Sequence, residues 1–335
     1  MPNNQIYLLF LAFSLTLCEY IKYDGSKLIP LSHSPNEDYN ASEIVSTNTI
    51  SQEMLSYYSW FASYGYCEDM EVPLFCCITH LKFFNEKWTI VSESSIEHYY
   101  DYNFVLWRSD EYKKYIIAVP GTRNSILELL REAINTQLVE YSLDDSGEED
   151  INEDTDDDNG IKLVNYFYKV AKKVKDIIFT TDVLADIADH SDYQFVFTGH
   201  SLGASVASIL LYDAVNRNYI NKVTNNPAFI GFGMPRTGNK NWVTDFNSKI
   251  KNILRVVRDG DIVTSLPYLP INNPYKHLGG LILVNKEMTS MNYCPKDIGE
   301  DYTDDECIRS IIFETKYHSY YFNPNVSFST RCEEN

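Results

Sequence analysis

Residues 193–215 read YQFVFTGHSLGASVASILLYDAV, an apolar run, a Gly-His-Ser-Leu-Gly turn and a small-residue amphiphile in direct succession. The first part has the β-branched and aromatic composition of a buried strand, and the last part has the length of a helix. Between them Gly199-His200-Ser201-Leu202-Gly203 has the G-x-S-x-G spacing, which needs a strand before it and a helix after it. Glycines are required at its ends because side chains there would collide as the backbone doubles back. The serine is thereby lifted above the sheet. The following helix N-terminus offers a positive end and free N–H groups to a developing oxyanion. Ser201 is therefore the candidate nucleophile.

Working outward, β-rich runs occur at Phe104–Trp107, Tyr115–Val119, Phe195–Phe197, Phe229–Phe232, Leu254–Val257 and Leu281–Val284. Helical spacing is expected over Ser51–Tyr66, Ile126–Leu138, Ile161–Phe179 and Ala204–Val215. Strands alternating with helices predict an α/β sheet covered on its faces. Runs such as YIIAV and FVFTG, apolar almost throughout, suit strands buried on both sides.

A nucleophilic serine needs a base, and in the α/β-hydrolase order the acid follows the serine and the histidine comes last. Of seven histidines, His33, His80, His98, His190 and His200 precede or adjoin Ser201. His277 and His318 remain, and chain order favours His318 modestly. For the acid, Asp259 and Asp261 both lie just beyond ILRVV, at the carboxyl end of a strand, where such sites collect. Order alone does not separate them.

The chain has 335 residues, 44% hydrophobic and 14% aromatic, enough for a substantial core, and a formal charge of −19. Ten acids and no base fall in Asp144–Asp158, which reads as a solvated loop. It lacks the spaced ligands, glycine turn and terminal Glu of a calcium loop. The acidic balance argues against nucleic acid as a partner. An apolar run from Ile6 to Cys18 at the extreme N-terminus reads as a signal peptide, residues 1–18, cut near Cys18. Residues 19–50, with Pro30 and Pro35, read as a leader or propeptide-like tail, and 51–335 as the folded domain with an acidic insertion at 143–160. Removal of the signal leaves Cys67, Cys76, Cys77, Cys294, Cys307 and Cys332. An even count in a secreted chain reads as disulfides, with fifteen possible pairings. Two sequons, at Asn40 and Asn325, fit that route.

FVFTGHSLGASVA, FGMPRTGN and RVVRDGDIVTSLP occur in this order, and the chain resembles the class 3 lipases, the filamentous-fungal triacylglycerol lipase type, over about Ser51–Cys332. The resemblance implies an α/β-hydrolase fold, with a mostly parallel central sheet, helices on both faces and a helical lid. It implies Asp261 rather than Asp259 as the acid, and His318 rather than His277 as the base. It also implies an oxyanion hole formed by Thr122, after Pro120-Gly121, and Leu202. Asn124–Tyr141, amphipathic and directly after that loop, falls where the family has its lid. Cys67 would pair with Cys332 and Cys294 with Cys307, while adjacent Cys76 and Cys77 stay open. Ala204 replaces the family's third glycine, Pro120 stands where Arg is common, and the H-x-G-F segment is missing near Ile161–Tyr166. The implied activity is secreted triacylglycerol hydrolysis at a lipid–water interface, with no metal, organic cofactor or obligate protein partner. Phospholipase A1 and short-chain or feruloyl esterase are the alternatives on this fold, and an inactive lipid-binding protein is the rival from another class.

Overall fold

Successive residues of a strand point to opposite faces, and in Lys114–Val119 both faces are buried. Tyr115, Ile117 and Val119 join one apolar core, and Ile116 and Ala118 join another. The sheet therefore separates two cores and needs covering on both sides. The computed structural model describes residues 40–48, 50–64, 66, 87–96, 102–121, 137–144, 160–267, 273–294, 314–322 and 328.

Among these, helix α1 (Gln52–Tyr64) precedes strands β1 (Thr89–Ile96), β2 (Tyr102–Ser109) and β3 (Lys114–Val119). A short pair β4 (Leu138–Glu140) and β5 (Lys162–Val164) leads into α2 (Asn165–Ile178) and α3 (Thr181–Asp189). Then come β6 (Gln194–His200), α4 (Leu202–Asn216), β7 (Ala228–Phe232), α5 (Lys240–Lys249) and β8 (Asn252–Arg258). The chain continues through β9 (Leu281–Val284), β10 (Met291–Cys294) and the single turn α6 (Lys316–Ser319). The main sheet runs β1-β2-β3-β6-β7-β8-β9-β10. Its centre, from β3 to β9, is parallel, and both edges are antiparallel. Residues of α2, α3, α4 and α5 pack in one core and those of α1 in the other.

All six expected strands are present, five of them somewhat longer than their apolar runs and β9 with the expected bounds. Helix α4 starts at Leu202, two residues before the expected Ala204, because the turn at Ser201 passes directly into it. Two helical expectations need correction. Ile161–Phe179 is not helical throughout: residues 162–164 form β5, and the helix starts at Asn165. Leu138, expected to end a helix, lies in β4 opposite Val164. Here pairing between two three-residue segments, extended by Val164 N–H to Thr237 O, outweighs local periodicity. The expected helix and the expected lid, Asn124–Tyr141, lie outside the described residues up to 136, and the lid's Leu138–Glu140 are strand β4; the acidic stretch 145–159 also lies outside the described residues.

Part of the expected leader is also packed onto the domain. Ala41 and Val45 are buried in the α1-side core. Gln194, at the start of β6, pairs with both backbone groups of Val45, at 2.8 and 2.9 Å. Lys114, at the start of β3, donates its ammonium to Ala41 O and Glu43 O. Among the described residues, domain contacts therefore reach back to Ala41, ahead of Ser51. Burial pushes the Lys114 amine down to about 7, opposed by the Glu43 charge.

A lysine that loses its proton more easily when folded destabilises the fold below that value, and the penalty fades as pH rises toward the ordinary lysine range. We expect the unfolding free energy of wild type, minus that of Lys114→Met, to increase between pH 7 and pH 9.5 in urea titrations. A constant difference would mean that Lys114 keeps its proton throughout.

Candidate active site

Parallel strands deliver their carboxyl ends to one edge of the sheet, and three adjacent ends supply the site. Ser201 follows β6 with φ 59° and ψ −130°, a conformation that costs a non-glycine residue about 1–3 kcal/mol. Its N–H donates to Phe232 O at 2.8 Å, so the end of β7 holds the turn in place. A Cβ on Gly203 would run into the carbonyl oxygens of Val119 and Pro120, which accounts for the motif's second glycine. Ala204 is accommodated because it faces Gly231: a Cβ there would lie 3.3 Å from that of Ala204.

Asp261 lies three residues beyond β8, in a turn that continues into a 3-10 helix, Val263–Ser265. Its carboxylate is buried, with the residue 1% exposed. Oδ1 accepts from Val263 N–H at 2.9 Å, and Oδ2 accepts from the Tyr321 hydroxyl at 2.7 Å. Nδ1 of His318, on α6, lies 3.0 and 2.9 Å from the two oxygens. With Nδ1 committed to the carboxylate, Nε2 is the ring nitrogen left for proton transfer. Burial, and next the Asp261 charge, push the Tyr321 phenol far above its ordinary range, so it stays protonated and donates.

The two candidate acids and the two candidate histidines have different partners. Asp259 gives its N–H to Val284 O, and His277 pairs through Nε2 with Thr264 O at 2.7 Å, bracing the turn after Asp261. Asp261 and His318 meet each other. Of the expected oxyanion donors, Leu202 is the first residue of α4, where a helix has no internal acceptor for its N–H. Thr122 lies outside the described residues, but its neighbour Gly121 abuts the serine: a Cβ on it would come within 2.8 Å of Ser201 Cβ. Cys294 is disulfide-bonded, and the other five expected cysteines lie outside the described residues.

Three contributors were not identified from sequence. Tyr321 is one. Another is His200, whose Nδ1 meets Tyr66 OH at 2.7 Å and whose Nε2 meets His318 O at 2.9 Å. Its ring stacks on Phe328, 4.0 Å between centroids. The third is Gly233, after β7, with φ 59°. A Cβ there would sit 3.0 Å from Asp261 Oδ2 and from the His318 ring. FGMP marked this position only as a shared motif, and its spatial neighbours are far away in sequence.

Residues 116–270, which include Ser201 and Asp261, match the family Lipase (class 3). Over this segment the chain is similar to the class 3 lipases. Phospholipase A1-II 1 of Oryza sativa subsp. indica is 38% identical over 87 residues, 26% of this chain and 22% of that protein; the match thus spans about a fifth of that relative. A lipase of Rhizopus niveus is 25% identical over 301 residues, 89% of this chain and 70% of that protein. The solved structure of lipase II from Rhizopus niveus superposes with a TM-score of 0.66 at 19% identity, covering 84% of this chain and 98% of that one. The fold of this chain is thus the α/β-hydrolase fold.

Gly233→Ala is expected to lower kcat/KM about 100-fold on any ester the chain turns over, the scale of an ångström-sized misplacement of reacting groups. Circular dichroism should remain native. Wild-type kinetics in this variant would show that the Asp261–His318 pair has room to spare.

Proposed function

We propose that this chain hydrolyses carboxylic esters of lipids through an acyl-enzyme on Ser201, with His318 as general base and Asp261 as its orienting acid. The observation that carries the reading is the buried carboxylate–imidazole pair at the same sheet edge as a serine held in a strained strand-to-helix turn. His318 Nε2 takes the Ser201 proton as Oγ attacks the ester carbonyl. The backbone N–H of Leu202, and the N–H and hydroxyl of Thr122, receive the oxyanion. His318 then protonates the departing alcohol, and water, activated by the same imidazole, releases the acid. Each oxyanion donor is worth about 3–4 kcal/mol in the transition state. The imidazolium formed at each step is stabilised by a carboxylate that two other donors already hold in position.

Triacylglycerol is the proposed substrate, supported by the Rhizopus niveus lipase that aligns over most of the chain. Phospholipase A1 activity is the second reading, supported by the higher local identity to the rice enzyme. Secretion is proposed on the apolar N-terminal run and on the Cys294 disulfide, since such bonds persist in oxidising compartments. In this reading residues 124–141 include the lid over the acyl groove, and no metal or organic cofactor takes part.

Wild type and Ser201→Ala should be compared on emulsified triacylglycerol and on phospholipid vesicles. Triacylglycerol turnover that rises above the solubility limit and is lost in the variant supports the lipase reading. Turnover of vesicles alone makes the chain a phospholipase, and equal behaviour of the two proteins leaves a binding protein. Asp261→Asn should lower kcat on the order of 10³–10⁴-fold, as loss of the orienting carboxylate does in serine triads; full activity would remove Asp261 from the mechanism.

A further inference from the structure

The segment carrying His318 has little means of holding itself in place. Helix α6 has four residues and no side-chain cap, too short for helical hydrogen bonding to fix it alone. One side chain from the sheet grips it on both sides of the histidine. Arg258 ends β8, and its guanidinium is largely buried. Nη1 donates to Tyr320 O at 2.8 Å, two residues after His318. Its carbon lies 4.8 Å from the centre of the Tyr317 ring, one residue before His318. Nε and Nη2 both donate to Lys286 O, which follows β9. The Arg258 backbone N–H donates to Tyr321 OH at 3.0 Å, and that hydroxyl donates to Asp261. The guanidinium thus connects the sheet to the residues flanking the imidazole, while the same residue's backbone supports the hydroxyl that holds the carboxylate.

We propose that Arg258 is a positioning residue, setting both the placement of His318 on Asp261 and the charge around that pair. This rests on the triad reading above. Arg258 makes no contact that requires substrate; it acts through Tyr317 and Tyr320. The planar fork matters because one group must meet two carbonyls and an aromatic face at once, which a lysine ammonium cannot do. The charge matters because a fixed cation nearby disfavours the imidazolium. Around the guanidinium stand Asp261, Glu287, Tyr317 and Tyr321. The Lys286 and Lys316 ammoniums lie against the Tyr317 ring, and His200 stacks beside His318.

The test compares full-length wild type, Arg258→Lys and Arg258→Met on a soluble short-chain ester, with kcat and KM measured across pH and thermal unfolding recorded for each. Arg258→Met should lose about tenfold or more in kcat with KM little changed. The acid limb of its kcat/KM profile should move to higher pH by roughly half a unit or more, because removing a cation lets the imidazole hold its proton longer. Arg258→Lys should keep the wild-type acid limb and still lose kcat, which separates charge from geometry. A folded Arg258→Met with wild-type kcat overturns the proposal. So does a loss of activity that merely follows the unfolded fraction while the acid limb stays in place. An inactive wild type would overturn the triad reading itself, whereas an active one with unaffected Arg258 variants overturns only this assignment.

Discussion

A carboxylate withdrawn from water must be compensated in full, and Asp261 sets that requirement for this molecule. Leaving such a charge unpaired in a low-dielectric interior would cost several kcal/mol. Three donors meet it: the Val263 N–H, the Tyr321 hydroxyl and the His318 imidazole. They come from two separate parts of the chain, so the carboxylate can be satisfied only when the C-terminal segment is seated on the end of β8. In the proposed mechanism, the geometry needed for proton transfer and the geometry needed to bury the charge are therefore the same.

The sheet explains why one place can meet these demands. Adjacent strands β6, β7 and β8 are parallel, so the serine turn, Gly233 and the Asp261 turn come out at the same edge. Each is tied to its neighbour: Ser201 N–H bonds to the end of β7, and Gly233 N–H bonds to Val256 in β8. His200 and Arg258 then reach from the sheet to the segment that carries His318. The strained backbone at Ser201 persists because α4, buried along nearly its whole length, fixes one side of the turn and β6 the other.

Much of this was legible in the sequence where the signal was local. The elbow could be read from two glycines and a serine between a strand run and a helix run, and six central strands from their apolar composition. The edge strands β1 and β10 were missed because Thr89–Ile96 and Met291–Cys294 carry many polar residues and depend on a neighbour for definition. The β4–β5 pair was missed because three residues are too few to show a period. Helices α3 and α5 start with side-chain caps, Thr180 accepting from Val183 N–H and Asn239 from Trp242 N–H, signals of a single residue that periodicity does not register. Asp261 and His318 could be chosen only through family resemblance, since 57 positions separate them and nothing local pairs them. Tyr321, His200 and Arg258 were illegible for the same reason. Their roles arise from what the fold brings beside them.

The most direct test of the central claim is to treat the purified chain with a fluorophosphonate, digest it and locate the adduct by mass spectrometry, in wild type and in His318→Ala. One adduct on the peptide containing Ser201, lost or greatly slowed in the variant while its circular dichroism stays native, is the predicted result. An adduct on another residue, or equal labelling of Ser201 without the imidazole, would contradict the account.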